Sequence, residues 1–223
     1  MVDLYAVNIK APISEEQYRH FLSIISERKR ERVLRYVFPE DAKRALYGDV
    51  LIRSIAAESL GIDVRGIEYR YNSYGKPYID QYPSFHFNIT HSGDWVVCAV
   101  SKDIVGVDIE LVKDIDTDLA RRFFSFTEYQ WLIGKPLSLQ RDSFYSLWTL
   151  KESYIKCLGK GLSIPLNSFS FSIRNEADIT ISDSAYGFSF RLIDMHKDYK
   201  LSVTAKEKDI NDKVNCLDIA SLA

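Results

Sequence analysis

The sequence predicts an α+β fold of two similar halves related by pseudo-two-fold symmetry, each with a small antiparallel sheet packed on a long helix. One observation is that the order of predicted elements in residues 1–104 recurs in residues 105–223. Another is that the longest helical segment of each half ends in Leu-Gly, at Leu60-Gly61 and at Leu158-Gly159. Because two packed α+β halves leave a cleft where ligands commonly bind, we expect the active site between them.

The first half begins with a strand and continues with three helices. A capping-box pattern, in which Ser14 is followed three residues later by Gln17, begins the first helix. Ser26 caps the second helix, which is very basic, and Gly61 suits the residue that ends the third. The predicted ranges are a strand over Leu4–Ile9 and helices over residues 14–25, Arg28–Val37 and Asp41–Leu60.

Strands and hairpins fill the rest of both halves. Short apolar runs separated by turn residues predict one hairpin in each half, with turns at residues 92–94 and 196–198. In the second half, a predicted helix over Arg141–Leu158 precedes the strands, in the same order as in the first half. The predicted strands are Ile67–Tyr71, Phe85–Thr90 and Trp95–Ser101 in the first half, and Ser168–Ile173, Phe188–Asp194 and Lys200–Ala205 in the second.

The composition disfavours a nucleic-acid-binding, a disulfide-rich and a membrane-spanning protein. The chain has 223 residues, 46% of them hydrophobic, and a net charge of −2. This balance does not indicate a bulk attraction to nucleic acid or to an anionic membrane. Three cysteines are too few for a disulfide framework, and neither a signal peptide nor an apolar membrane span is visible. We expect a cytoplasmic protein, and a monomer because internal duplication replaces one self-association interface.

Two short segments contain the residues best suited to chemistry. In residues 106–110 apolar and acidic residues alternate, so that on a strand Asp108 and Glu110 share one face. On the second-half helix, Glu152 and Lys156 are neighbours one turn apart. If they converge, three carboxylates and an ammonium suit Mg²⁺-assisted chemistry at a phosphate. Taken singly, each pattern also fits an ordinary solvated strand face or a helical ion pair.

Basic residues and one histidine are candidate phosphate contacts. His91 lies where a strand runs into a turn, and its ring N–H can face a phosphate or bond locally. A basic run at residues 28–35, continued by Arg44, contrasts with the slightly negative net charge. Lys76, on a rigid turn between a glycine and a proline, can flank a nucleotide. The sequence has no Walker A loop and no Gly-x-Gly-x-x-Gly, so an ordinary nucleotide fold is not indicated.

Four motifs, taken together, resemble those of a known family. They have the order and spacing found in Sfp-type 4′-phosphopantetheinyl transferases, and the resemblance is greatest to the surfactin-synthetase-activating branch of bacilli. It extends from about residue 24 to residue 166. The resemblance implies that the chain moves the phosphopantetheine arm of coenzyme A onto a serine of an apo carrier protein and releases 3′,5′-ADP. The motifs are residues 74–77, 87–92, 106–110 and 148–156, the last followed by Gly159-Lys160-Gly161-Leu162.

The resemblance also implies roles in the reaction. Asp108, Glu110 and Glu152 would bind Mg²⁺ or, alternatively, Mn²⁺. Glu152 would also be the general base on the carrier serine, directly or through water. Lys156 would stabilise the departing adenosine bisphosphate, with electrostatic help from Lys151.

Further residues match family positions that contact coenzyme A. Lys29 and His91 would hold the 3′-phosphate. Thr90 keeps a hydroxyl where serine is usual, Arg32 keeps a charge where lysine is common, and Ala45 lacks a hydroxyl that is often present. The predicted contacts, of which Lys76 and Thr90 would line the nucleotide, are Lys29, Arg32, Arg44, Lys76, Thr90, His91 and Lys151.

The carrier docks in this family near the first helix of the second half, which here begins at Arg121-Arg122-Phe123-Phe124. Exposed aromatic rings beside arginines would suit an acidic carrier helix, unless the two phenylalanines belong to the core. The carrier would belong to a peptide, polyketide or fatty-acid synthase, and no nucleic acid or membrane partner is expected.

Two other functions stay open at this point. One is a coenzyme A-binding or carrier-binding module without turnover. The other is an Mg²⁺-dependent phosphohydrolase in which water replaces the serine. The complete set of acids together with Lys156 argues against the first, and the basic residues suited to a remote phosphate argue against the second.

Overall fold

The architecture is α+β, with helices and strands in both halves of the chain. The structure, a computed structural model, describes residues 1–114, 117–182 and 187–222, without the side chain of Thr117. The helices described are α1 (Glu15–Ile24), α2 (Glu27–Leu34), α3 (Pro39–Leu60), α4 (Thr117–Phe123), α5 (Phe126–Ile133) and α6 (Leu137–Leu158). The strands described are β1 (Val2–Asn8), β2 (Arg70–Tyr71), β3 (Pro77–Tyr78), β4 (His86–Ser92), β5 (Trp95–Ser101), β6 (Val105–Leu111), β7 (Ser170–Ile173), β8 (Ile179–Ser182), β9 (Ser189–Ile193), β10 (Tyr199–Ala205) and β11 (Ile210–Cys216).

The predicted helix boundaries depend on caps that the structure confirms. Ser14 and Gln17 form both hydrogen bonds of a capping box at the start of α1. The Ser26 hydroxyl accepts a 3.3 Å hydrogen bond from a backbone N–H in the first turn of α2. Both long helices end in a left-handed glycine, Gly61 with φ of 65° and Gly159 with φ of 67°. Local sequence signals therefore set these ends.

Three helix boundaries differ from the prediction by two residues or more. α2 ends at Leu34, short of the predicted Val37, and Pro39 opens α3 at its first position. Proline suits that position because its missing N–H has no partner in the first helical turn and its φ is already helical. α6 likewise begins at Leu137, before the predicted Arg141. The two long helices are thus slightly longer than the sequence pattern indicated.

Two main sheets contain most of the strands. The strand order is β11-β1-β5-β4 in the first sheet and β6-β10-β9 in the second. Neighbours pair antiparallel, except that β1 and β11 run parallel. The sequence predicted no strand at β11, because most of its residues are polar and give no alternating apolar signal. The division into residues 1–104 and 105–223 stays a prediction, since β11 lies in the sheet of the first half.

The two main sheets pack face to face, and the long helices cover their outer faces. Alternate apolar residues of both sheets meet in a cluster that includes Val2, Leu4, Val97, Val107 and Val203, all inaccessible to solvent. α3 packs on the outer face of the first sheet, and α6 packs on the second. The predicted sheet-on-helix arrangement of each half is therefore confirmed. Because side chains alternate along a strand, the outer face of β6 points toward α6.

Gly106 allows α6 to approach β6 closely. A Cβ at this position would overlap the carbonyl oxygen of Ser153 and the backbone nitrogen of Cys157. We expect Gly106→Ala to reduce the free energy of unfolding by about 3 kcal/mol or more, because strand and helix backbones would have to separate. Chemical denaturation followed by circular dichroism measures this loss.

Gly48→Ala, in the middle of α3, is the matched control for that variant. A Cβ there would lie 3.5 Å from side-chain atoms of Ile89 and Val96, which is an ordinary contact. The change should leave stability equal or raise it by up to about 1 kcal/mol, since alanine is the better helix former. Equal stability of both alanine variants would contradict the close packing at Gly106.

The three cysteines are free thiols. Cys98 and Cys157 are buried free thiols, as expected of small apolar side chains, and Cys216 is free and exposed. Within residues 1–114, 117–182 and 187–222, no helix has both the length and the apolarity that crossing a membrane requires.

Candidate active site

The acidic residues of β6 face two residues of α6. Asp108 and Glu110 project from the outer face of β6, and Glu152 and Lys156 lie on the side of α6 that meets them. The Lys156 ammonium is 2.5 Å from Oδ1 of Asp108 and donates to the Thr90 hydroxyl at 3.3 Å. The fold thus brings together the three carboxylates and the ammonium that the sequence singled out. We call Asp108, Glu110 and Glu152 the acidic cluster.

Burial raises the pKa of every member of the acidic cluster, and neighbouring carboxylates add to the shift of Glu110 and Glu152. Burial raises the pKa of Asp108, which is 3% exposed, while the charge of Lys156 opposes the shift. Burial and then the charge of Asp108 raise the pKa of Glu110. Burial, Asp108 and Glu110 together raise the pKa of Glu152. A divalent cation would relieve this repulsion between neighbouring carboxylates.

The hydrogen bonding of the Asp108 carboxylate indicates that the acidic cluster can bind a cation. Oδ2 is buried and has no hydrogen-bond partner among the described residues, whereas Oδ1 is bonded to Lys156 and Thr90. Buried carboxylate oxygens are rarely left unpaired, and hard oxygen donors suit Mg²⁺ or Mn²⁺. No three His, Cys, Asp or Glu side chains in the described ranges are already arranged as metal ligands. The donor set therefore fits a divalent cation, to which the unpaired Oδ2 of Asp108 is available.

A basic pocket lies next to the acidic cluster. Its volume is about 290 Å³, and residues of α2, α3 and β4 form most of its walls. The two sites are close because His91 lines the pocket while its neighbours Thr90 and Ser92 bond to the carboxylates of the acidic cluster. The predicted phosphate contacts therefore share one cavity. Its basic groups are Lys29, Arg32, Arg44 and His91, and its aromatic groups are Tyr36, Tyr69, Tyr71 and Phe87.

α3 positions the ammonium of Lys29 at this pocket. The ammonium lies 3.8 Å from Oδ2 of Asp49, whose Oδ1 accepts a 2.6 Å hydrogen bond from Nε of Arg53. Burial lowers the pKa of Lys29, and the charge of Asp49 opposes that shift. Sequence reasoning missed Asp49. The available signal was an aspartate and an arginine four residues apart in an otherwise apolar stretch of helix.

Arg44 and His91 form another part of the pocket wall. Arg44 donates to the carbonyl oxygen of Gly93 at 2.6 Å and to Asp41 at 2.7 Å, which fixes its guanidinium. The His91 ring is accessible at the rim, yet the surrounding walls and then the charges of Arg44 and Lys156 lower its pKa. A bound phosphate would oppose this shift and favour the charged imidazole.

Comparison with known proteins decides the family. The chain is 43% identical over 213 residues to a 4′-phosphopantetheinyl transferase of Bacillus subtilis, covering 95% of each chain. It is 40% identical over 221 residues to the 4′-phosphopantetheinyl transferase Sfp of Bacillus subtilis strain 168, covering 98% of this chain and 99% of the relative. The chain belongs to the Sfp-type 4′-phosphopantetheinyl transferases.

Other comparisons agree with this assignment. Family models described as "4′-phosphopantetheinyl transferase, N-terminal" and "4′-phosphopantetheinyl transferase superfamily" match residues 11–103 and 104–204. The transferase gsp of Aneurinibacillus migulanus is 44% identical over 169 residues, which are 76% of this chain and 70% of the relative. The predicted family, and with it the prediction of a transferase, is confirmed.

Lys151 of this phosphopantetheinyl transferase is a core residue, so the prediction that it contacts coenzyme A is wrong. Its side chain is inaccessible to solvent and lies 2.8 Å from Oε2 of Glu128. It also donates 2.7 Å hydrogen bonds to the carbonyl oxygens of Leu166 and Phe169. Consecutive helical residues point about 100° apart, so Lys151 faces the interior while Glu152 faces the cleft.

The side chain of Lys76 links the two halves of the transferase and does not line the basic pocket, so its place along the nucleotide stays a prediction. Its ammonium donates to the carbonyl oxygens of Val105, Lys156 and Cys157 at 2.9, 2.8 and 3.1 Å. Two of these carbonyls lie in the last turn of α6, where the negative end of the helix dipole attracts a cation. Pro77, the next residue, lines the basic pocket instead.

The Thr90 hydroxyl lies at the acidic cluster, and its place along the nucleotide stays a prediction. It donates to Oδ1 of Asp108 at 3.1 Å, and the Ser92 hydroxyl donates to Oε2 of Glu110 at 2.8 Å. Between them, His91 lines the basic pocket on the other face of β4. Because side chains alternate along a strand, the sequence could have predicted that Thr90 and Ser92 share one face of β4 and that His91 points to the other.

The predicted carrier-docking segment is partly exposed. Arg121 and Arg122 are exposed, and the Arg122 guanidinium lies 5.3 Å from the centroid of the Phe123 ring. Phe123 is half-buried, with its ring edge-on to Trp148 at 5.6 Å. Phe124 is 3% exposed and belongs to the core, so its predicted place on the docking surface is wrong.

Proposed function

We propose that this enzyme transfers the 4′-phosphopantetheine arm of coenzyme A to a serine of an apo carrier protein and releases 3′,5′-ADP. The observation that supports this best is the position of the basic pocket beside the acidic cluster, with β4 between them. A coenzyme A whose 3′-phosphate occupied the pocket would present its pyrophosphate to the acids. A phosphohydrolase without a preference for coenzyme A has little need for such a second phosphate site.

The basic pocket would hold the 3′-phosphate and part of the adenosine. Lys29 and His91 are suited to the phosphate itself, while Arg32 and Arg44 offer planar guanidinium groups that can donate two hydrogen bonds at once. Ala45, which also lines the pocket, offers no hydroxyl, so one polar contact common in the family would be missing.

The acidic cluster would hold Mg²⁺ or Mn²⁺ between β6 and α6. When bound, the cation offsets the charge of the pyrophosphate and fixes its orientation. The unpaired Oδ2 of Asp108 and the raised pKa values of Glu110 and Glu152 support this assignment. The hydrogen bonds from Thr90 and Ser92 would keep the two strand carboxylates in place before the cation arrives.

Glu152 would accept the proton of the carrier serine as the serine oxygen attacks the phosphorus. Burial and two neighbouring acids raise the pKa of Glu152 toward the range in which a general base is effective. The bond from Oγ to phosphorus forms while the bond from phosphorus to the 3′,5′-ADP oxygen breaks. Lys156, now paired with Asp108, would stabilise the negative charge on that departing oxygen.

The carrier protein would dock near Arg121, Arg122 and the accessible part of Phe123. Two exposed cations beside an aromatic ring suit an amphipathic helix with acidic residues, such as carrier domains of peptide, polyketide or fatty-acid synthases offer. We place the reaction in the cytoplasm with a monomeric enzyme. The free thiols of the described cysteines support a reducing compartment.

Intact-mass spectrometry tests the proposed transfer. An apo peptidyl carrier protein is incubated with the enzyme, coenzyme A and Mg²⁺, and a parallel sample receives EDTA. The expected result is a mass gain of one phosphopantetheine on the carrier in the first sample alone. Binding of coenzyme A without any gain on several carriers would favour a binding module, and release of phosphate without carrier would favour a hydrolase.

Lys29→Ala should raise the KM for coenzyme A by about tenfold or more, because a charge-assisted hydrogen bond to the 3′-phosphate is lost. The KM for 3′-dephospho-coenzyme A should change little. Arg28→Ala, an exposed neighbour in α2 outside the pocket, is the control. Equal effects on both substrates would remove Lys29 from the 3′-phosphate site.

A further inference from the structure

Three side chains of β4 join the first sheet to the second. β4 and β6 are edge strands of different sheets, and side chains from β4 accept hydrogen bonds from the β6 backbone. Asn88 Oδ1 accepts from Val107 N–H at 2.9 Å. The hydroxyl oxygens of Thr90 and Ser92 accept from the next two alternate N–H groups of β6, at 3.3 and 3.1 Å. We call Asn88, Thr90 and Ser92 the polar ladder.

Thr90 and Ser92 also donate a hydrogen bond to a carboxylate of the acidic cluster, whereas Asn88 does not. A hydroxyl has one proton to donate, and Ser92 gives it to Oε2 of Glu110 at 2.8 Å while accepting from Leu111 N–H. Thr90 likewise donates to Oδ1 of Asp108 at 3.1 Å. The bond that anchors β6 and the bond that aims a carboxylate therefore come from the same oxygen.

The opposite face of β4 belongs to the basic pocket. Phe87, Ile89 and His91 line that pocket, alternating with the polar ladder along the strand. A single strand thus sets the distance between the pocket and the two carboxylates of β6. Because the ladder is made of side chains rather than a continuous backbone pairing, single substitutions can weaken it at one point.

We propose that Ser92 is a positioning residue, whose hydroxyl holds Glu110 in the orientation that binds the divalent cation. This inference rests on the proposed function, since it takes the acidic cluster to be the metal site. Ser92 does not contact the reacting atoms. Loss of its hydroxyl frees the Glu110 carboxylate to rotate and leaves Leu111 N–H without its acceptor. Residues that orient metal ligands in this way commonly change metal affinity by tenfold to a hundredfold.

The test compares Ser92→Ala, Ser92→Thr and Asn88→Ala with the unaltered enzyme. Calorimetric titration of Mn²⁺ into each protein saturated with coenzyme A gives the metal Kd, and a separate titration without metal gives the Kd for coenzyme A. We expect Ser92→Ala to raise the metal Kd by about tenfold or more and to leave the metal-free coenzyme A Kd unchanged. Ser92→Thr, which retains a hydroxyl, should restore the metal Kd.

Asn88→Ala separates positioning from general damage, because it removes a ladder bond to β6 that involves no carboxylate. Chemical denaturation shows the loss of stability in each variant, and we expect Asn88→Ala to be destabilised with an unchanged metal Kd. Equal metal Kd values for Ser92→Ala and Asn88→Ala would overturn the proposal, as would an unaltered enzyme that takes up no Mn²⁺. Transfer to a carrier is assayed independently on the unaltered enzyme, so its failure would point to the proposed function rather than to Ser92.

Discussion

Glu152→Gln is expected to fold normally and to lower the rate of transfer by about a hundredfold or more. The amide cannot accept the serine proton, and a positioned general base typically contributes a factor of about 10²–10⁴. It is also a poorer ligand for a divalent cation than the carboxylate it replaces. The side chain is only half-buried, so the fold should tolerate the change. The initial rate of holo-carrier formation, followed by intact-mass spectrometry, measures the effect.

Glu68→Gln is the control for this variant, since Glu68 is exposed in a loop of the first half. It removes the same charge far along the chain from the acidic cluster and should transfer at the original rate. The metal-free Kd for coenzyme A should be unchanged in Glu152→Gln, because the basic pocket is intact. Near-normal turnover by a folded Glu152→Gln enzyme would contradict the role of Glu152 as base.

Lys151→Met is expected to reduce the free energy of unfolding by about 3–5 kcal/mol. The change leaves the Glu128 carboxylate buried, with a side-chain exposure of 1%, and without its counter-ion. Removing one member of a buried ion pair generally has an effect of this size, because the remaining charge is no longer compensated. The carbonyl oxygens of Leu166 and Phe169 also lose a donor. Urea denaturation of the purified protein measures the loss.

Lys156→Met provides the contrast on the same helix. Lys156 is 28% exposed in its side chain, and burial already raises the pKa of its partner Asp108, which can take up a proton once the lysine is removed, so this change should affect stability less than removal of Lys151. It should instead slow transfer, because the departing oxygen loses its cation. Removal of Lys151 would then mainly reduce stability, and removal of Lys156, five positions further along the helix, would mainly reduce activity. A stable Lys151→Met enzyme with impaired coenzyme A binding would restore the role that the sequence first indicated for Lys151.

Sequence alone was sufficient for features that depend on neighbours in the chain. Ser14 with Gln17 and Ser26 predicted the helix starts, because a cap bonds to groups within its own first turn. Glu152 and Lys156 were placed on one helical face by spacing. The acid-apolar alternation around Asp108 likewise gave its face of the strand. These features could be predicted without knowing which distant residues pack against them.

The side chains whose contacts the sequence did not predict depend on partners from distant parts of the chain. Lys151 is buried because Glu128 of α5 supplies a counter-ion, and nothing near Lys151 in the sequence indicates that pairing. Lys76 bonds to carbonyl oxygens at the far end of α6, 80 residues away from it. Phe124 belongs to the core because its ring packs against Phe144 of α6. Periodicity can assign a face to each of these residues, but not the neighbour that the face will meet.

The parallel pairing of β1 with β11 has a consequence for synthesis on the ribosome. β1 is translated long before β11, so one of its edges stays unpaired until residues 210–216 have been made. The backbone N–H of Leu217 also waits for the carbonyl oxygen of Ala6. An open strand edge is a ready template for pairing with other chains. The nascent protein therefore has an edge of β1 exposed to aggregation until β11 is translated and closes it.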